Sequence, residues 1–327
     1  MILAGDIGGT KTVLALFEKG SAGLRPVRDA TFSSSGHDSL EAIVGRFLRD
    51  ASSPSIETTC FGVAGPVIGG RVAATNLPWV IDEASLVRAT GARRAKLLND
   101  LEATAYGMLE LGDDEFAVLS PGSGVDRPGN AVVIAAGTGL GQALLVWDGE
   151  RHLPVASEGG HVGFAPRDDR EVELLRFLRG EYGSHVSYER LLSGPGLHNV
   201  YRFLRASGGE PEPDWLTARI RAEDPGAVIG DVGVAGGDPV CAATVEWFAS
   251  IYGAQAGDLA LTALAVGGVF VGGGIAPKIL PVLERGGFLR AFIDKGRFSK
   301  LVEEMPVRVS LDPRTPLRGA ARYAAEL

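Results

Sequence analysis

Residues 1–17 read MILAGDIGGTKTVLALF. An apolar run from Ile2 to Ile7 meets Gly8-Gly9-Thr10, and a second apolar run follows from Val13 to Phe17. Two short runs around a tight glycine turn predict an antiparallel β-hairpin. A dinucleotide-binding βαβ unit does not fit, because the chain returns to a strand after the glycines instead of opening a helix. A Walker loop does not fit either, since no G-x-x-x-x-G-K-[ST] occurs. The same arrangement recurs at residues 131–146, AVVIAAGTGLGQALLV: an apolar Ala131–Ala135, then Gly137-Thr138-Gly139-Leu140-Gly141, then an apolar Ala143–Val146. A strand, glycine-threonine turn, strand unit therefore occurs twice.

Outward from the first hairpin, Val27–Phe32 reads as a third strand. Asp38-Ser39 is a helix N-cap signal for an apolar face of Leu40, Ile43, Val44, Phe47 and Leu48. Thr58–Val63 returns as a strand, and Lys96–Leu98 is a strand ending in Asn99-Asp100, after which Leu101, Ala105, Met108 and Leu109 mark a helix. Asp100 is thus expected where strand becomes helix. Helices are expected at 169–179, 195–206 and 238–263, with a surface loop at 208–213, GGEPEP. Val269–Val271 reads as a buried strand before Gly272-Gly273-Gly274, and Arg314–Ala325 as a helix of small residues suited to close packing, returning to the first lobe.

A chain of 327 residues is too long for one ordinary core and predicts two domains, with room for a cleft. With 45% hydrophobic and 22% charged residues and a mean hydropathy of +0.13, it can bury a sizeable core. A net charge of -8 argues against nucleic-acid binding. Cys60 and Cys241 lie too far apart for a zinc knuckle or a disulfide framework, which suits a reducing cytosol. Asp6 interrupts the N-terminal apolar run too early for a signal peptide or a membrane span, and the apolar stretch 259–271 is broken by Gly267 and Gly268. The expectation is a cytoplasmic protein with neither nucleic-acid nor membrane partners.

The chemistry of the turns follows from what glycine leaves open. In Asp6-Ile7-Gly8-Gly9-Thr10-Lys11 the bare backbone can bring N–H groups up to phosphate oxygens, and Asp6 at a strand end can hold magnesium through its water shell. The plain alternative is a hairpin turn whose glycines supply positive φ. The second turn, Gly137-Thr138-Gly139, strengthens the phosphate reading, since two such hairpins can hold two ends of a triphosphate. A third stretch, Gly272-Gly273-Gly274-Ile275-Ala276-Pro277, could lie flat against a purine through Gly273 and Gly274, or serve as a tight strand-to-helix connection.

Asp6-x-Gly-Gly-Thr, Asn99-Asp100, Gly137-Thr138-Gly139 and the Gly272 triplet, in that order, resemble the sugar kinase, Hsp70 and actin ATPase superfamily across nearly the whole chain. Within it, SEGGHVGF at 157–164 and YERLLSGPG at 188–196 resemble the bacterial glucokinase family. The resemblance implies an α/β, two-lobed actin/hexokinase-like (ribonuclease H-like) ATPase fold with a central cleft. Residues 1–110 with 312–327 would form the small domain, and 111–311 the large one. It implies an ATP- and Mg2+-dependent glucokinase that is commonly a homodimer. Asp100 would be the catalytic base, and Asn99, Glu158, His161 and Glu189 would bind glucose hydroxyls alongside it. Lys11 stands where bacterial glucokinases usually carry Asn and is closer to the related family of repressors and open-reading-frame kinases. That family's cysteine-rich zinc motif is not seen here, since no cysteine lies between His161 and Cys241.

A carboxylate beside the sugar 6-hydroxyl can orient it and accept its proton, which typically contributes ~10²–10⁴-fold to the rate. The plain alternative for Asp100 is an N-cap of the following helix. Carboxylates and amides that take vicinal hydroxyl pairs suit Asn99, Glu158 and Glu189, and His161 adds one donor or acceptor. His37, His152, His185 and His198 show no metal spacing and read as incidental. Chain crossings near 107–113 and 311–314 are the expected hinges for a sugar-triggered closure that excludes water. Rival readings are a kinase of another hexose, a sugar-sensing regulator that keeps the fold without the chemistry, and an actin-like or Hsp70-like ATPase.

Overall fold

The computed structural model describes residues 1–20, 23–74, 77–125, 127–208 and 211–327. Positions 209 and 210 of the loop expected at 208–213 lie outside the described residues. The chain divides into two compact units, one of Met1–Glu115 with Pro154–Ala156 and Asp312–Leu327, the other of Phe116–Leu153 with Ser157–Leu311. The main crossings fall at 115/116 and 311/312.

In the first unit the elements run β1 (Ile2–Ile7), β2 (Lys11–Gly20), β3 (Gly23–Ser33), α1 (Leu40–Asp50), β4 (Thr58–Val63), β5 (Arg71–Ala73), β6 (Val80–Asp82), α2 (Glu83–Thr90), β7 (Arg94–Asn99) and α3 (Asp100–Met108). The second unit holds β8 (Phe116–Ser120), β9 (Ala131–Ala136), β10 (Leu140–Trp147), α4 (Asp169–Tyr182), α5 (Gly194–Gly208), α6 (Asp214–Ala222), α7 (Pro225–Ala235) and α8 (Pro239–Ala263), with β11 (His152–Ser157) divided between the units because Pro154–Ala156 group with the first. It continues through β12 (Gly268–Gly272), α9 (Leu280–Leu283), α10 (Gly287–Ile293), α11 (Ser299–Glu303) and β13 (Val307–Ser310), before α12 (Thr315–Ala325) returns to the first unit. Among the described residues no single helix is long and apolar enough to cross a membrane.

Both units are built on one strand scheme. The first sheet has the order β3-β2-β1-β4-β7 and the second β11-β10-β9-β12-β13-β8. In each, the first two strands of the unit's hairpin pair antiparallel and the next two strands add in parallel, so the twice-occurring turn sits at the same place in each sheet. The second sheet carries one more antiparallel strand, β8, against β13.

Alternation along β1 divides the first core. Leu3 and Ile7 pack with Leu14, Phe61 and the apolar face of α1, whereas Ile2 and Ala4 pack with Cys60, Leu98, Ala103 and the α12 residues Leu317, Ala320 and Ala321. The α12 contact is unusually close. A Cβ on Gly319 would fall on the Ala103 carbonyl and lie 2.5 Å from Gly107 N, and one on Gly107 would fall on the Thr315 carbonyl. Backbone meets backbone there, so neither glycine admits a methyl without parting the helices. Gly319→Ala is therefore expected to destabilise the protein by about 1–3 kcal/mol through overpacking. Thermal unfolding of the purified variant checks this, and an unchanged midpoint would refute the backbone contact.

The second unit's core gathers β9, β12 and β13 with α4, α5, α8 and α10 around Val132, Ile134, Val271, Val245, Phe248, Tyr252 and Phe288. Helix α8 starts at the expected Asp238, whose carboxylate accepts from Val240 N and Cys241 N and which bonds Arg205 at 2.7 Å.

Candidate functional site

Registers Ile7↔Val63 and Val63↔Asn99 bring the carboxyl ends of β1, β4 and β7 level. Asp6 sits one residue back, on the face that Ile2 and Ala4 turn toward α3 and α12. Its β4 neighbour is Gly62, where a Cβ would lie 2.8 Å from Ala103 Cβ and 3.9 Å from Asp100 Cα. That glycine lets the first turn of α3 settle onto the sheet. Asp6 and Asp100 consequently share one end and one face of the first sheet. Burial pushes the Asp6 carboxyl up to about 6, with the Lys11 ammonium opposing the shift.

Asp100 is not the helix cap. Asn99 is: its Oδ1 accepts from Leu101 N at 2.8 Å and its Nδ2 donates to Gly65 O at 3.1 Å. Asp100 occupies the first helical position, half-buried, with Oδ1 also accepting from Leu101 N at 2.9 Å. An amide side chain has two donor hydrogens and two acceptor lone pairs, so Asn99 retains one of each for a ligand.

The turn after β1 is tied by Gly8 N to Lys11 O at 2.9 Å. Gly8 and Gly9 are not in the left-handed region, and neither are Gly137 and Gly139, so the plain alternative, a turn whose glycines supply positive φ, does not hold. What glycine provides is space. A Cβ on Gly137 would meet nothing within 4 Å, and one on Gly8 would lie 3.2 Å from Lys11 O. Lys11 itself is exposed. Ser34 and Thr12, which the sequence does not single out, stand behind this turn.

In the second unit, the Gly137 turn is bound to the segment carrying Glu189. Gly194 N donates to Gly137 O at 2.9 Å, Gly137 N donates to Gly139 O at 2.8 Å, and Leu140 N donates to Glu189 Oε2 at 3.0 Å. A Cβ on Gly139 would lie 2.5 Å from Glu189 Oε2, so the glycine makes way for that carboxylate. Gly273, at φ +80, admits no side chain because a Cβ would fall on the Ala136 carbonyl, which also accepts from Ile275 N at 3.2 Å. Gly274 faces open space. The second and third glycine stretches are thus neighbours at the ends of β9 and β12. Helix α9 begins only at Leu280, after a run of turns, so the triplet is not a tight strand-to-helix connection. Tyr252, buried on α8, accepts from Ala136 N and donates to Ile134 O, both at 3.1 Å, holding the end of β9 from behind. Nothing in the sequence marks it among the other buried residues of that helix.

Glu158, His161 and Glu189 come together. His161 Nε2 is 3.9 Å from Glu158 Oε2 and its Nδ1 is 4.0 Å from Glu189 Oε1. These separations exceed a hydrogen bond, so the polar atoms are not spent on one another. The His161 and Glu158 side chains are 61% and 64% exposed, and Glu189 only 25%. The 158–161 turn lies against β10 because Gly159 and Gly160 are bare: Cβ atoms there would strike Gln142 Oε1 and the Leu140 carbonyl. Its continuation is tied to the Glu189 segment by Phe164 N to Val186 O at 2.8 Å and Tyr188 N to Val162 O at 3.0 Å. His185, expected to be incidental, bonds the His161 carbonyl through Nε2 at 2.9 Å and so fixes the backbone of that histidine.

Among the described residues no group of three or more His, Cys, Asp or Glu is placed to hold a metal ion. A magnesium ion that keeps most of its waters needs only one or two protein carboxylates and phosphate oxygens, and Asp6 beside the open glycine turn fits that donor set.

A family model described as glucokinase matches residues 3–327. A glucokinase of Nostoc punctiforme is 39% identical over 341 aligned residues, spanning 100% of this chain and 99% of that protein. The crystal structure of a glucokinase from an Antarctic psychrotroph has a TM-score of 0.85 and 32% identity, covering 100% of this chain and 99% of its own. A ROK family glucokinase from Streptomyces griseus, solved with glucose and AMPPNP, shares the fold at a TM-score of 0.66 and 22% identity, over 100% of this chain and 99% of that one.

Proposed function

The chain belongs to the glucokinase family, with the actin/hexokinase-like fold and glucose as the sugar it phosphorylates, and from that premise we propose that ATP is the donor and Asp100 the catalytic base. The observation that carries this reading is the meeting of Asp6 and Asp100 at one end and one face of the first sheet, beside a glycine turn that leaves backbone amides open.

In the proposed reaction Asp100 accepts a hydrogen bond from the glucose 6-hydroxyl. As that oxygen bonds the γ-phosphorus, its proton passes to the Asp100 carboxylate, the bridging P–O bond breaks, and ADP leaves with the electron pair. There is little covalent work for the protein, so alignment and charge neutralisation carry the rate. With the Gly8 and Gly137 amides tied inside their turns, those of Gly9 and Thr10 and of Thr138 and Gly139 would take phosphate oxygens, and the bare backbone at Gly273-Gly274 would face the purine. Lys11, exposed at the start of β2, would add a positive charge near the phosphates. Mg2+, when bound through water to Asp6, would neutralise charge on the β- and γ-phosphates.

Asn99, Glu158, His161 and Glu189 would bind the remaining hydroxyls of glucose. Glu189 has a double task under this reading, since Oε2 holds the Gly139–Leu140 amide and Oε1 faces His161. Glu158 is the cleanest probe, because its exposed carboxylate can be changed without disturbing the core. Glu158→Gln is expected to raise the KM for glucose about 10-fold or more, as for loss of a charged hydrogen bond, with the KM for ATP unchanged. An unchanged glucose KM would remove Glu158 from the sugar site. A coupled ADP-release assay across glucose, mannose, fructose and N-acetylglucosamine tests the substrate assignment, with glucose expected to give the highest kcat/KM. We further propose that the enzyme acts in the cytoplasm as a homodimer, which sedimentation of the purified protein checks.

A further inference from the structure

Ser34 is wholly buried, in a 3₁₀ turn at Ser34–Gly36 that follows β3. Its hydroxyl donates to Gly8 O at 2.7 Å, and its backbone N donates to Thr10 O at 3.0 Å. One residue thus holds two carbonyls of the first glycine turn. Its Oγ also lies 3.0 Å from Thr12 Oγ1, on a threonine that is equally buried. A carbonyl can only accept, so the Ser34 hydrogen is committed to Gly8, and Thr12 must be the donor to Ser34. The direction is therefore fixed: Thr12 O–H to Ser34 Oγ, Ser34 O–H to Gly8 O.

The consequence follows from the planarity of the peptide. Gly8 C=O and Gly9 N–H belong to one trans peptide unit and point in opposite directions. With the carbonyl drawn back to Ser34, Gly9 N–H is turned to the far side of the turn. Gly8 N–H is already used by Lys11 O, whereas among the described residues Gly9 N–H and Thr10 N–H meet no acceptor. A hydrogen bond accepted by the carbonyl also polarises its peptide unit, making the amide a better donor.

We infer that Ser34, held by Thr12, is the residue that positions the Gly8-Gly9-Thr10 turn with its amides toward the triphosphate of the donor nucleotide. It is a positioning residue, since it acts through Gly9 and touches no substrate. The inference rests on the phosphate reading of this turn.

The test measures the KM for MgATP and for glucose in Ser34→Ala, in Thr12→Val and in the double variant. Alongside these, the Gly9 amide signal of the 15N-glycine-labelled wild type is followed with and without MgATP. Ser34→Ala is expected to raise the KM for MgATP about 10-fold, the worth of one hydrogen bond of about 1.4 kcal/mol, and to leave the glucose KM within about 2-fold. Thr12→Val, which keeps the β-branched shape in β2, should raise the MgATP KM about 3-fold alone and add nothing in the Ser34→Ala background. The Gly9 signal should shift on adding MgATP. If Gly9 shifts while Ser34→Ala leaves the MgATP KM unchanged, or raises both KM values equally, the role of Ser34 is overturned and the phosphate turn stands. If Gly9 does not respond to MgATP, the phosphate reading of the turn falls, and this inference with it.

Discussion

Asp100→Asn is expected to lower kcat by ~10²–10⁴-fold, the range that general-base catalysis supplies. Asparagine keeps the shape of the side chain and an Oδ1 able to accept from Leu101 N, so the start of α3 should survive. Capping does not enter, because Asn99 performs it. The KM values for glucose and ATP should change by no more than a few-fold, since the amide still hydrogen-bonds a hydroxyl but cannot take its proton. Steady-state kinetics on both substrates decide the matter, and a kcat within about 3-fold of wild type would show that Asp100 is not the base.

Asp6→Asn should separate stability from activity. With its carboxyl raised from 3.8 to about 6 by burial, the native state holds the Asp6 proton more tightly than the unfolded chain does. Ionisation therefore penalises the native state: the penalty is absent below about pH 4, grows between pH 4 and 6, and is complete above pH 6. Two pKa units, already net of the Lys11 attraction, correspond to roughly 3 kcal/mol at most, less whatever water relaxation recovers. Without nucleotide at pH 7, Asp6→Asn should thus be more stable than wild type by about 1–3 kcal/mol, and the difference should vanish near pH 4. Activity with MgATP should fall on the order of 10²-fold, as for loss of one electrostatic contact to the transferring group. Melting curves across pH, paired with kinetics, test both halves. A less stable variant at pH 7 would contradict the burial argument, and full activity would contradict the magnesium role.

Much of the frame was readable from pattern because the informative residues act locally. The hairpins at Ile2–Ile7 and Ala131–Ala136 show as apolar runs around glycine, and Asp238 before Pro239 marks the start of α8. Asn99-Asp100 at a strand-to-helix junction was equally plain, but not the division of labour between them: both side chains accept from Leu101 N, and Asn99 is the cap because helical backbone begins only at Asp100. Helix α7, PGAVIGDVGVA, gives no amphipathic stripe in the sequence, because its apolar residues are interrupted by three glycines and the exposed Asp231. The hairpin of β5 and β6 is too short to give an alternation signal.

The site was legible at its chemical residues and silent at its supports. Glu158, His161 and Glu189 stand in short motifs, whereas what holds them is set by tertiary packing. His185 reaches the His161 carbonyl across 24 residues, and Tyr252 reaches β9 across more than a hundred, at a sequence separation of 118 from Ile134. Ser34 lies in a run of three serines, and only the 3₁₀ turn after β3 decides which of them turns inward to Gly8. No local pattern carries that information.

The role of Asp100 is tested most directly by a crystal structure of the enzyme with glucose and a non-hydrolysable ATP analogue bound together. An Asp100 carboxylate oxygen is expected about 2.6–3.2 Å from the glucose 6-hydroxyl, with the γ-phosphate on the far side of that hydroxyl. A 6-hydroxyl held by some other side chain, with Asp100 turned away from the sugar, would contradict it.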